Sequence, residues 1–300
     1  MSKIDKIYKK SKRMEISDQS RIVIMSDCHR GAGDNYDNFV KNKNIYAAAL
    51  DYYYKENYTY IELGDGDDMW EVTNYKDIIQ EHLDIFKILK KFFVDNRFIM
   101  LYGNHDICKK NKKLIKEVFF KYYDKLTRKE RDLFPNLEVL ESIILEYYGH
   151  EILLLHGHQV DFLNSSLWRV ARFLVRYIWR PLENFGFKDP TSAAKNYRGS
   201  KKCQKKLLKW SKKKKKMLIT GHTHKPMFPC AGDNLYFNDG ACIHPNGVTA
   251  LEIINGSITL VRWELSLKKE QIIAVRRRQI ETIEPLTKFY QDKIDKNCLK

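Results

Sequence analysis

Five short apolar runs, each closing on residues able to bind a cation, limit what this chain of 300 residues can become. They are "RIVIMSDCH", "YTYIELGDGDD", "RFIMLYGNHD", "EILLLHGH" and "KMLITGHTH". Brief continuous runs of Ile, Leu, Val, Met and aromatic residues read as strands buried on both faces. Between the first three, helical patterns from about Phe39 to Lys55 and from Tyr75 to Asp95 alternate with the strands. That alternation predicts a parallel sheet covered by helices, with chemistry in the loops that leave the carboxyl ends of the strands.

Further along, "LEVLESIILEYYGHEILLLHGH" reads as two strands joined at a Gly-His turn, which begins an antiparallel section. Helical segments are expected from about Phe162 to Trp210. Then come short strands in "NLYFNDGA", "GVTALEII" and "SITLVRWEL", the last two joined by "NGS", a hairpin signal. Residues from Ser266 onward are expected to be helical and charged. The domain reading is a basic N-terminal segment over 1–20, a main domain over 21–264 with a helical insertion at about 160–212, and a charged helical tail over 265–300. The sheets are expected to pack as a sandwich between helices.

A hydrophobic content of 43% suffices for one large domain with a real core. No stretch of about 18 uncharged apolar residues suggests a membrane span, and the basic start has no signal-peptide centre, so a cytoplasmic location is expected. Six scattered cysteines without a CxxC pair suit a reducing compartment and read as small buried side chains. The net charge of +16 implies an anionic partner: nucleic acid, an acidic membrane surface or a phosphate-bearing substrate. It is concentrated in "AKNYRGSKKCQKKLLKWSKKKKK", Ala194 to Lys216, where a solvated helix face is the plainer reading.

The strand ends offer Asp27 and His29, Asp65, Asn104 and His105, His156, and His222 with His224. Residues two apart in extended chain point the same way, so Asp27 with His29, and His222 with His224, can each converge on one point. Carboxylate, imidazole and amide donors without thiolate suit Mn, Fe, Zn or Mg. Cations also account for the aspartates crowded into "LGDGDD", because a bridging carboxylate is attracted to them more strongly than its neighbours repel it.

In the order D-x-H, G-D-x-x-D, G-N-H-D, H and G-H-x-H, the chain resembles the calcineurin-like metallophosphoesterases from roughly Arg21 to Glu264. The motifs read Asp27-Cys28-His29, Gly64-Asp65-Gly66-Asp67-Asp68, Gly103-Asn104-His105-Asp106, His156 and Gly221-His222-Thr223-His224. The resemblance implies an α/β fold, a four-layer α/β/β/α sandwich of two mixed sheets with an inserted helical lid, and a centre of two divalent metals, Mn foremost. It places Asp27, His29, Asp65 and His224 on one metal and Asp65, Asn104, His156 and His222 on the other, Asp65 bridging. Such a pair lowers the pKa of a shared water and neutralises phosphoryl oxygens during in-line displacement. His105 would protonate the leaving oxygen or stabilise charge there, Asp106 would fix its tautomer, and Asp68 would orient a ligand histidine. Asp67 reads as a turn residue, and His158 as an extra polar group near the cleft or a turn residue.

The insertion bears on the substrate. In "LWRVARFLVRYIWRPLENF", Arg169, Arg172, Arg176 and Arg180 recur every three or four residues and form one helical face, while Trp168, Phe173, Leu174, Ile178 and Trp179 cover the others. The stripe is expected to face the cleft or an anionic headgroup, with Arg169, Arg172 and Arg176 as substrate-binding candidates. A core helix with snorkelling arginines is the alternative. A helical lid before the final GHTH is similar to the UDP-2,3-diacylglucosamine diphosphatase-like proteins, which act at a membrane surface. The chain departs from them at His105, where arginine is usual, and at His156-Gly157-His158, where HGD is usual. The expected substrate is a phosphodiester or pyrophosphate linked to a nucleotide or lipid, with peripheral contact to an anionic membrane. A metal-dependent nuclease, or a basic membrane- or nucleic-acid-binding module with a vestigial site, is the competing reading.

Overall fold

The computed structural model describes residues 1–34, 36–165, 167–179, 197–230, 232–245, 247–267 and 273–290. Strand β1 spans Lys12–Ile16, β2 Arg21–Met25, β3 Thr59–Leu63, β4 Phe98–Leu101, β5 Lys121–Asp124, β6 Lys129–Asp132 and β7 Val139–Leu140. The later strands are β8 Ser142–Tyr147, β9 His150–Leu155, β10 Met217–Thr220, β11 Tyr236–Asn238, β12 Gly247–Ile254, β13 Ser257–Leu267, β14 Ile273–Gln279 and β15 Glu284–Pro285. They form a large sheet ordered β14-β13-β12-β2-β3-β4-β7, with β15 on β13, a five-stranded sheet ordered β1-β8-β9-β10-β11, and a small β5-β6 hairpin. Both larger sheets are mixed: β2, β3, β4 and β7 run parallel while β12 meets β2 antiparallel, and β9, β10 and β11 run parallel while β8 meets β9 antiparallel.

Side-chain alternation makes the layers. In β2, Ile22 and Ile24 join Ile61, Leu63, Leu145, Leu154 and Ile219 in a core between the sheets. Val23 and Met25 point the other way, into a core with helices α2 (Lys43–Lys55) and α4 (Leu83–Val94). On the outer face of the five-stranded sheet, Ile144, Leu153 and Leu218 pack against α1 (Lys3–Lys10) and the long basic helix, here α8 (Tyr197–Lys214). The result is the expected four-layer α/β/β/α sandwich. Helix α8 buries Cys203, Leu207 and Trp210 and turns most of its lysines outward, so the lysine block is a solvated helix face.

Three segments differ from the sequence reading. The basic N-terminal segment is built into the fold: Ile4 and Ile7 are buried, Trp210 donates to Asp5 at 2.9 Å, and β1 pairs in parallel with β8. The tail from Ser266 is mainly strand where it is described, with one short 3-10 helix at Leu286–Phe289. Strand β13 continues to Leu267 and pairs with β14, and Arg277 donates to the buried Glu252, so charges read as a helix surface are partners across a sheet. The helix expected over Tyr75–Asp95 breaks into α3 (Tyr75–Glu81) and α4 at His82, whose ring is buried 2.8 Å from Asp37. Among the described residues the other α-helices are α5 (Lys112–Phe119), α6 (Phe162–Ser165) and α7 (Trp168–Leu174), the last running into a π-helical stretch, Val175–Trp179. Arg180, together with the rest of residues 180–196, lies outside the described residues.

Deletion of residues 1–16 removes three core isoleucines, Ile4, Ile7 and Ile16, and an edge strand, and is expected to lower the thermal midpoint by several degrees. A calorimetric scan with an unchanged midpoint would show that the segment is an appendage.

Candidate metal centre

The site is built from turns, not from strand ends in extended conformation. Asp27, His29, Asp65, His222 and His224 all adopt positive φ, between 49° and 66°. This left-handed region costs a non-glycine residue on the order of 1 kcal/mol, and it persists only where the surroundings over-determine it. Here backbone bonds stitch the loops together: Asp27 N–H donates to Gly64 O at 3.1 Å, His29 N–H to Asp65 O at 2.9 Å, and Gly221 N–H to His156 O at 3.0 Å. Asp27 and His29 converge, as the spacing suggested, but by a tight left-handed turn, whereas His222 and His224 fall into different ligand groups. Gly64, at φ 91°, has no room for a side chain, since a Cβ there would lie 2.7 Å from Gly103 N and 2.8 Å from the His156 ring.

Six of the seven expected ligands fall into two neighbouring groups. Asp27, His29 and His224 form one, and Asp65, His156 and His222 the other; within each, the donor atoms lie within 4.8 Å of one another. Asp27 Oδ1 lies 3.0 Å from His224 Nε2, 3.7 Å from His29 Nε2 and 3.8 Å from His156 Nε2. Asp65 Oδ2 lies 3.1 Å from His156 Nε2 and 3.9 Å from His29 Nε2, so it reaches both groups, as a bridging ligand must. His29 Nε2 and His224 Nε2 face each other at 3.2 Å. Asp27 Oδ1, Asn104 Oδ1 and His156 Nε2 are buried without a hydrogen-bond partner. Buried polar atoms are almost always satisfied, so these orphans, all atoms able to ligate a divalent cation and two of them 3.8 Å apart, fit a metal centre.

Supporting contacts fix which atom each ligand offers. His156 Nδ1–H donates to Leu63 O at 2.9 Å, leaving the Nε2 lone pair toward the carboxylates. Asp68 serves two rings: its Oδ1 is 3.1 Å from His105 Nδ1 and its Oδ2 is 3.6 Å from His29 Nδ1. Asp65 Oδ1 accepts from His105 N–H at 2.7 Å, and Asp27 Oδ2 accepts from His222 N–H at 2.9 Å and from Ser26 Oγ. Ser26 also meets Asp239 Oδ1 at 2.8 Å. Burial, and next the charge of Asp27, push the Asp239 carboxyl well above its ordinary range. Asp239 ends the run "LYFND" in the same way as the five runs that were singled out.

Beneath the cluster lies a dry ion network. Arg30, Glu62, Asp67, Asp106 and Lys109 are almost wholly buried. Arg30 Nε donates to Asp67 at 2.6 Å, and its terminal nitrogens meet both Glu62 oxygens at 2.9 Å; Lys109 Nζ lies 2.7 Å from Asp67 and 2.7 Å from Asp106. Burial alone would raise Asp67, but Arg30 and Lys109 hold it down to about 2. Two expectations are corrected here. Asp67 is a buried ion-pair partner, not a turn residue. Asp106 does not set the His105 tautomer, because its oxygens accept from Gly103 N–H at 2.7 Å, from Asp65 and Gly66 N–H, and from Lys109. Asp68 touches the His105 ring instead.

The lid arginines part ways. Arg176 is spent on structure: its guanidinium donates to the carbonyls of Trp70, Met69 and Val72 at 2.8, 3.0 and 2.7 Å, fastening the lid to the loop that carries Asp65. Its expected substrate contact is corrected accordingly. Arg169 and Arg172 flank Trp168, 5.5 and 5.2 Å from its ring centre. The lid's inner face, Ala171 and Val175, packs on Trp70, which stacks on His105 at 4.4 Å. His158 is buried, its ring 5.6 Å from that of His156.

This sandwich, with carboxylates and imidazoles gathered where the strands end, defines a metal-dependent hydrolase. Residues 20–226 match the calcineurin-like phosphoesterase family, and the chain belongs to it. It is a phosphoester hydrolase of that family. Among solved structures it is similar to a predicted phosphoesterase from Streptococcus pneumoniae TIGR4, at 14% identity and TM-score 0.33 over 87% of this chain and 97% of that one. It is also similar to Vps29 from Chaetomium thermophilum, at 10% identity and TM-score 0.41 over 89% and 98%. A putative 5'-nucleotidase from Staphylococcus aureus matches at 12% identity and TM-score 0.32 over 89% and 55%. No curated protein matches the chain significantly. No helix among the described residues is long and apolar enough to cross a membrane.

Proton and metal compete at this centre. Burial disfavours a charged imidazole, yet Asp65 and Asp27 outweigh it and hold His156 up to about 9; His29 is also raised, by Asp27, Asp68 and Asp65 against its own burial. An ion must displace those protons, so affinity is expected to rise by about tenfold per pH unit for each proton displaced, levelling off above about pH 9. Mn2+ titration calorimetry between about pH 6 and 9 checks this; a flat affinity would contradict it.

Proposed function

We propose that the enzyme is a dinuclear hydrolase, with Mn the preferred ion, that cleaves a phosphodiester or pyrophosphate bond in a nucleotide- or lipid-linked substrate. The observation carrying the dinuclear reading is the reach of Asp65 Oδ2, 3.1 Å from His156 Nε2 in one ligand group and 3.9 Å from His29 Nε2 in the other, beside the unpartnered atoms Asp27 Oδ1 and His156 Nε2. Asp27, His29, Asp65 and His224 would hold one ion, and Asp65, Asn104, His156 and His222 the other. When bound, such ions supply Lewis acidity toward phosphoryl oxygens and an acidified water.

The chain's own residues do the rest. Asp27 and Asp65 are ionised, each held well below the ordinary carboxylate range by nearby histidines that outweigh burial. His105, whose Nδ1 faces Asp68, would give a proton to the departing oxygen, a contribution of about a hundredfold or more. Trp70 beneath it excludes water from that side of the ring.

Amphipathic substrates are favoured by the lid. Val170, Phe173, Tyr177 and Ile178 expose apolar surface beside Arg169 and Arg172, an arrangement that suits an acyl chain or bilayer surface next to an anionic headgroup. The outward lysines of α8 favour a nuclease as the second reading, for which binding falls steeply with salt.

Asp65→Asn and His156→Ala are each expected to cut turnover of bis(p-nitrophenyl) phosphate by about a hundredfold or more with the fold intact by circular dichroism. Undiminished turnover would sink the assignment. Arg172→Ala is expected to weaken turnover of a lipid-nucleotide pyrophosphate more than that of the small ester. Equal losses would remove Arg172 from substrate binding, and preference for single-stranded DNA across the same panel would favour the nuclease.

A further inference from the structure

Asp161 stands outside the motifs that carry the metal ligands, yet its Oδ2 lies 3.5 Å from His222 Nε2. That nitrogen is buried and makes no hydrogen bond of ordinary geometry, so the carboxylate of Asp161 is the acceptor within its reach. We infer that Asp161 is a positioning residue for the second ion: its carboxylate takes the Nε2 hydrogen of His222, so that the ring presents Nδ1 to the metal. The inference rests on the dinuclear reading above and deepens it.

Three observations lead there. First, a neutral imidazole has one donor and one acceptor nitrogen, and which is which follows from the partner of the donor. At His156 the donor is Nδ1, fixed by Leu63 O, and the acceptor is Nε2. At His222 the nitrogen facing a carboxylate is Nε2, which leaves Nδ1 as the ligating atom; two neighbouring ligands thus present opposite nitrogens. Metal-bound histidines commonly donate their remaining N–H to a carboxylate in this way.

Second, Asp161 is held for the purpose. Asn164 Nδ2 donates to Asp161 Oδ2 at 2.9 Å, so the oxygen that faces His222 is already anchored from behind.

Third, the loop from His156 is folded to bring Asp161 back. Gly157, at φ 109°, turns the chain into the single turn His158–Val160, and Asp161 N–H closes it on His158 O at 2.9 Å. Helix α8 clamps the same loop: Lys206 Nζ donates to Val160 O at 2.9 Å, and Cys203 Sγ lies 3.6 Å from Gly157 O. Asp161 is also where the insertion begins, since α6 and α7 follow it directly. The carboxylate therefore ties the root of the lid to a metal ligand. In the geometry described the contact is long, and ion loading is expected to draw it into a hydrogen bond of ordinary length.

The test compares wild type with Asp161→Ala, Asp161→Asn and Asp161→Glu. Mn2+ binding by calorimetry is expected to show two ions per wild-type chain, and a loss of about 10- to 100-fold in affinity for one of them in Asp161→Ala. Asp161→Glu is expected to restore affinity in part, and the other ion should bind as before. A second readout needs no variant at Asp161: nitrogen-15 spectra of the Zn2+-loaded wild type should show His222 protonated at Nε2 and coordinated through Nδ1, its signals assigned by their loss in His222→Gln. Coordination through Nε2 overturns the inference, as does Asp161→Ala binding both ions with wild-type affinity. Wild type that takes up no Mn2+ overturns the dinuclear reading as well, whereas two tight ions in both proteins leave that reading standing and remove Asp161 alone.

Discussion

Lone pairs of carboxylates and imidazoles converge on one dry place in this molecule, and their mutual repulsion is the constraint around which the rest is arranged. Asp27 Oδ1 and Asp65 Oδ2 share His29 and His156 as neighbours. Without a proton or a cation between them such atoms destabilise the fold, because burial strips away the water that would screen them. Five residues held at positive φ add backbone strain to the same site. The inter-sheet core, packed with Ile24, Leu63, Leu154 and Ile219 just behind the strand ends, supplies the rigidity that keeps them there.

The buried ion network is the second level of that support. Arg30 leaves the loop after β2, Asp67 the loop after β3, and Asp106 and Lys109 the loop after β4. Three of the ligand-bearing loops are thereby bound to one another by charge-assisted hydrogen bonds beneath the cations' place. Removing one partner from such a network strands the others without compensation, at a cost of about 3–5 kcal/mol. The network specifies position as much as stability: Asp106 accepts from the backbone on both sides of the Asp65 turn and so sets where that carboxylate starts.

Much of this was legible in the sequence because burial and metal chemistry leave strong marks. A strand enclosed on both faces must be apolar throughout, and a ligand must be Asp, His or Asn, so the junction between the two stands out at Asp27, Asp65, Asn104, His156 and His222. What could not be read depended on contacts distant in sequence. Nothing near Asp67 announces Arg30 and Lys109, and nothing near Arg176 announces three backbone carbonyls. The charged residues of β14 look like a helix surface until Glu252 is known to lie opposite Arg277. The left-handed turns at Asp27 and His29 were hidden because aspartate and histidine there are required by chemistry, where glycine would have marked the geometry. Asp161 and Asp239 lay outside the motif, although Asp239 follows an apolar run like the others.

The Arg176 fastening has a mechanical meaning. A guanidinium shared among three carbonyls of the loop that follows Asp65 joins roof and floor of the cleft into one piece. A roof so attached cannot swing on a distant hinge like a door without dragging the Asp68-bearing loop along with it.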